Sequence, residues 1–87
     1  MTHLIVEQTF DPPLTDDEHG RIGQRLDKCL DAYGATWIRS YLSADRRRMV
    51  CEFAAPDAEA VRTSYRSAGV AFERVWPAEV YARDVSV

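Results

Sequence analysis

Residues 37–56, WIRSYLSADRRRMVCEFAAP, hold two short runs of alternating character joined by Ala44-Asp45-Arg46-Arg47. Alternation with period two marks a strand with two unlike faces, and a four-residue turn between such runs makes a hairpin. The spacing predicts strands over Thr36–Ser43 and Arg48–Ala54. A helix signature stands on each side. Upstream, Thr15-Asp16-Asp17-Glu18 is a capping box, in which the Thr15 hydroxyl and the Glu18 carboxylate satisfy each other's backbone amides. Ile22, Leu26, Cys29, Leu30 and Tyr33 then form one apolar stripe, and Gly34 ends it. Gly20 and Gly23 weaken the early turns of that helix, each by about 1 kcal/mol relative to Ala. Downstream, Pro56-Asp57 opens a second helix with an inner face of Ala58, Val61, Tyr65 and Ala68, stopped by Gly69.

Leu4–Phe10 alternates and ends at Asp11-Pro12-Pro13, which predicts a first strand. Val70–Trp76 reads as a last strand broken at Pro77, with Glu79–Tyr81 as a continuation past a bulge or a short edge strand. Two strand-helix-strand units in series fold most simply as an α+β, ferredoxin-like β-α-β-β-α-β sandwich. Its four-stranded antiparallel sheet takes the order 4-1-3-2 and carries both helices on one face. The whole of residues 1–87 is then one domain, near the lower limit for a self-sufficient core.

A sheet bare on one side invites a second copy, so a homodimer closing a dimeric α/β barrel is expected. The strand periodicity assigns Leu4, Val6, Ile38, Leu42, Met49, Cys51, Phe53, Val70, Phe72 and Trp76 to the helix-packed face. The bare face takes His3, Ile5, Glu7, Thr9, Trp37, Arg39, Tyr41, Val50, Glu52, Glu73 and Val75. Large aromatics beside acids and an arginine point to an interface or a pocket. Glu7, Glu52 and Arg39 are expected across adjacent strands.

With that region read, the chain resembles a small bacterial family of unknown function that includes a nickel-binding, ferredoxin-like dimer. The resemblance rests on Leu14-Thr15 followed by Glu18 and Ile22, on Trp37-Ile38 with Ser40-Tyr41, on Cys51, and on Ala55-Pro56 leading to Glu59-Ala60-Val61-Arg62. It spans residues 4–81. Relatives often place one histidine just before the Ser-Tyr pair and another in the second helix after the Val-Arg pair. Here those places hold Arg39 and Thr63-Ser64-Tyr65. A guanidinium repels a cation, so the resemblance does not carry the metal activity with it.

The remaining chemistry is sparse. A net charge of −3 argues against nucleic-acid or membrane-surface binding, and Arg46-Arg47-Arg48 reads as a solvated turn. No apolar run approaches the roughly 20 residues of a membrane span. The start reads directly as a strand, so no signal peptide is expected and the cytoplasm is the default compartment. Cys29 and Cys51 read as small buried hydrophobes. His3 and His19 are the only imidazoles, His19 as a partly buried packing residue. No metal site or cofactor is expected; Glu7, Glu52 and His3 are the residual donors.

Two functions fit this inventory. One is a small binding protein whose pocket uses Trp37 and Tyr41 as aromatic walls, Arg39 to orient an anionic or polar organic ligand, and Glu7 and Glu52 to set polarity. The other is a cofactor-free isomerase or cyclase with Glu7 or Glu52 as general base and Arg39 and Tyr41 stabilising an oxyanion. The resemblance adds a divalent-metal binder as a third.

Overall fold

The computed structural model describes residues 1–83, so the last four residues of the expected 1–87 domain lie outside the described residues. The elements are β1 (Thr2–Thr9), α1 (Asp16–Ala32), β2 (Thr36–Leu42), β3 (Arg48–Ala55), α2 (Ala58–Ala68) and β4 (Arg74–Pro77). The strands form one antiparallel sheet in the order β2-β3-β1-β4, the expected order read from the opposite edge. Leu4 and Val6 of β1 and Met49, Cys51 and Phe53 of β3 meet Ile22, Leu26 and Leu30 of α1 and Val61 and Tyr65 of α2 in one core. This is the ferredoxin-like sandwich, with both helices on one face. Phe53, Tyr65 and Phe72 stack edge-on through it, with centroids 6.0 and 5.6 Å apart.

Local chemistry explains the helix ends. The Thr15 hydroxyl accepts from the Glu18 amide at 3.1 Å, and the Asp57 carboxylate does the same for the Ala60 amide at 2.8 Å. Gly34 and Gly69 follow the helices at φ 73° and 69°, in the left-handed region that glycine enters without cost. The amides of Ala35 and Val70 then reach back to the carbonyls of Leu30 and Tyr65, a Schellman closure at both ends. Thr15→Ala is expected to cost about 1 kcal/mol, seen as a lower urea midpoint with an unchanged slope.

The arginine triplet is more than a solvated turn. Arg46 takes φ 62°, gives its Nε to the Leu14 carbonyl at 2.5 Å and pairs with Asp16 at 2.7 Å. Arg47 pairs with Asp11 at 3.2 Å. The β2–β3 turn is thereby tied to the entry of α1.

Several expected placements change. Val70–Glu73 is not strand; β4 starts at Arg74, and Val75 pairs with Val6 while Trp76 pairs with Ile5. Val75 therefore faces the helices and Trp76 the bare side, the reverse of the expectation. The connecting segment is held instead by the buried Gln8 side chain, which donates to the Ala71 carbonyl at 3.0 Å. Pro77 lies within β4, and Glu79–Tyr81 form no strand. His19 on α1 and Tyr33 just past its end are exposed, and Cys29 is half-buried. On α2 the buried set includes Ser64, whose hydroxyl donates to the Ala60 carbonyl at 2.8 Å.

The largest change is at β2. Trp37 pairs with Phe53 and Arg39 with Glu52, so Ile38 is an extra residue in a β-bulge. The bulge resets the alternation: Trp37 joins Ser40 and Leu42 on the helix side, and Ile38 is left exposed outside the core.

Candidate functional site

On the bare face the cross-strand register decides which polar groups meet. Glu52 lies at the middle of β3, opposite Ile5 on β1 and Arg39 on β2. Side chains on one face of a sheet reach both the direct partner and the diagonal neighbour. The direct partner is Arg39, whose Nε is 3.0 Å from Glu52 Oε1. The diagonal neighbour is His3, whose Nε2 is 2.9 Å from Oε2. Tyr41 approaches the same carboxylate from β2. Accepting from the phenol and repelling its ionised form, Glu52 holds the Tyr41 pKa above its usual 10.0.

Three side chains from the two flanking strands thus enclose a carboxylate that is only 7% exposed, although no helix covers it. Arg39 and Tyr41 stay more than half exposed around it. Among the described residues, Glu52 is the only ion-pair partner of Arg39, met through Nε, and the arginine side chain is 59% exposed.

Glu7 builds a second, separate cluster. Its direct partners are the apolar Val50 on β3 and Arg74 on β4, and its carboxylate turns to β4. Glu7 Oε2 accepts from Trp76 Nε1 at 2.7 Å and lies 3.6 Å from Arg74 Nε. A depression of about 300 Å³ runs beside Glu7, Thr9, Arg48, Val50, Glu73 and Arg74. Of the sequence-predicted residues, then, Glu52, Arg39 and Tyr41 converge and Glu7 stands apart. Trp37 lies on the other side of the sheet, because of the bulge at Ile38. Trp76, which sequence parity assigned to the core, supplies the second aromatic on the bare face and is 41% exposed.

Among the described residues no three His, Cys, Asp or Glu side chains gather as a metal centre, and no helix is long and apolar enough to cross a membrane. The family described as "Nickel responsive protein SCO4226-like" matches residues 4–78. The chain belongs to this family. Among solved structures, SCO4226 from Streptomyces coelicolor A3(2) superposes with a TM-score of 0.81, over 92% of this chain and 99% of its own. Only 16% of residues are identical, so this likeness to SCO4226 is one of fold. No curated protein matches the chain. SCO4226-like membership agrees with the resemblance read from residues 4–81, and the residues at the two histidine places remain Arg39 and Thr63-Ser64-Tyr65.

Proposed function

We propose that this member of the SCO4226-like family is a small cytoplasmic ligand-binding protein that works as a homodimer. The bare sheet face is the interface, and it closes over a polar, aromatic chamber. The Glu52 cluster is the observation that carries this reading. A carboxylate held by Arg39, His3 and Tyr41 on an uncovered face is built in advance, and preorganised polar groups are what orient a ligand. The outer nitrogens of Arg39 suit an anionic or polar organic ligand, because a guanidinium grips a carboxylate in a two-pronged fashion. Tyr41 and Trp76 supply the aromatic walls, with Ile5 and Val50 between them. A second copy is the fitting cover, since a face that alternates Arg and Glu is self-complementary under a two-fold axis.

Nickel, which the family description names, fits one chain poorly. His3 and Glu52 offer two donors, while square-planar or octahedral sites want four to six. The guanidinium on Glu52 adds a cation where the metal would sit. The enzyme reading ranks second to binding, because both oxygens of Glu52 and one of Glu7 are already engaged.

Native mass spectrometry of the untagged protein tests the proposal. The wild type is expected as a dimer carrying an added small-molecule mass. Arg39→Ala is expected to remain a folded dimer without that mass. Retention of the ligand by Arg39→Ala, or stoichiometric nickel in its place, would contradict the assignment.

A further inference from the structure

Between α1 and the sheet a cavity of about 170 Å³ opens beside β2, on the side opposite the Glu52 cluster. Ile22, Leu26 and Leu30 of α1, Met49 and Phe53 of β3, and Tyr65 of α2 form its walls. Its origin lies in three small residues. Ser40 of β2 pairs with Cys51 of β3, where two large aliphatics would otherwise fill the layer, and α1 presents Gly23 to the same space. A Cβ added at Gly23 would meet nothing within 4 Å.

Both features work against the isolated fold. Glycine inside a helix weakens it relative to alanine, and an unfilled void forfeits dispersion contacts along its walls. An occupant removes the second cost.

The mouth is set by the bulge at Ile38, which swings the indole of Trp37 over the opening, where it stays 55% exposed. The buried polar groups of the cavity satisfy one another, while His19 and Asp27 of α1 stand exposed at its rim. Trp37 Nε1 donates to Ser40 Oγ at 2.9 Å, and that hydroxyl donates to Cys51 Sγ at 3.0 Å. Among the described residues no buried side-chain nitrogen or oxygen lacks a partner. The buried part of the cavity therefore asks its occupant for neither charge nor hydrogen bonds, and the Asp27 carboxylate at the rim disfavours an anion. A dry apolar cavity of roughly 150 Å³ holds one benzene ring, and the rings of Trp37, Phe53 and Tyr65 offer edge and face contacts to an aromatic guest. We propose that this cavity is a binding site for a small uncharged molecule with a single aromatic ring.

The site lies on the opposite side of the sheet from the proposed dimer interface, so it stands or falls independently of that reading. Toluene is the probe, titrated into the full chain carrying Trp76→Phe so that Trp37 is its only tryptophan. A saturable change in Trp37 emission and a rise in melting temperature are expected. Gly23→Leu, which fills the void from α1, is expected to weaken toluene binding by about tenfold or more while the far-ultraviolet circular dichroism stays native. Should Gly23→Leu fail to fold, Gly23→Ala serves in its place, with a smaller loss of affinity and a higher melting temperature. Benzoate, the same ring with a charge, is expected not to bind. The proposal is overturned by an emission that never saturates, by unchanged toluene affinity in the filled variant, or by benzoate binding as tightly as toluene.

Discussion

Glu52→Lys is expected to lower the stability of the fold by about 3 kcal/mol, in the range seen when one partner of a buried ion pair is removed. The substitution puts an ammonium group into a position with only 7% exposure, 3.0 Å from the Arg39 guanidinium site and beside His3. The new charge loses its hydration and meets like charge, whereas the carboxylate it replaces met two donors and a phenol. Arg39 is largely in water and can swing away, which keeps the cost at the lower end of the range. Glu52→Gln retains an acceptor for Tyr41 and should lose much less. Urea unfolding followed by circular dichroism reads both. A loss below about 1 kcal/mol for Glu52→Lys would mark the cluster as an ordinary solvated ladder.

Alkaline pH is expected to unfold the protein in a way that depends on Tyr65. Burial raises the Tyr65 phenol well above its usual 10.0, and burial likewise raises the Cys51 thiol above 9.0. In the unfolded chain both groups ionise at their ordinary values, while the folded protein still holds the protons. The unfolded state then binds fewer protons than the native state, so the free energy of unfolding falls as pH rises. Stability is full below pH 9.0, starts to fall as Cys51 ionises in the unfolded chain, and falls faster past 10.0 when Tyr65 joins. Each group contributes a slope of up to about 1.4 kcal/mol per pH unit. Tyr65→Phe keeps the ring between Phe53 and Phe72 and removes one ionising group. Its stability should follow the wild type up to about pH 10 and decline less steeply beyond. Parallel curves for the two proteins above that point would contradict the assignment.

Much of this architecture was legible because it is written in short-range pattern. Thr15 and Asp57 announce helix starts, Gly34 and Gly69 announce ends, and the hairpin parity around residues 39–53 places Arg39 opposite Glu52. Parity arguments fail where one residue is inserted or a run leaves the sheet. The bulge at Ile38 flips Trp37, and the non-strand segment Val70–Glu73 exchanges Val75 and Trp76. Neither event has a local marker in Thr36-Trp37-Ile38 or Val70-Ala71-Phe72, since both runs suit an uninterrupted strand.

Buried polar residues escaped for a related reason. Gln8 continues the inward series Leu4, Val6, and Ser64 sits beside Val61 and Tyr65 at helical spacing, so position gave the clue that residue type concealed. The Ala71 carbonyl that Gln8 binds and the Cys29 carbonyl that Ser64 reaches beyond its own helix depend on how the chain connects in space. The pairing of His3 with Glu52 is of the same kind. It follows from the register of Ile5 with Glu52, which no single segment reveals.

The bare face of the sheet, centred on Glu52, is the surface on which the functional account depends. Light scattering on the untagged wild type, with Val50→Asp as its partner measurement, tests it most directly. Val50 is half-buried between Tyr41 and Glu7 by register, so an added carboxylate there meets the acids of the same face and of any copy laid over it. The wild type is expected to scatter with the mass of two chains and Val50→Asp with that of one folded chain. A wild type that scatters as a single chain would contradict the proposed homodimer.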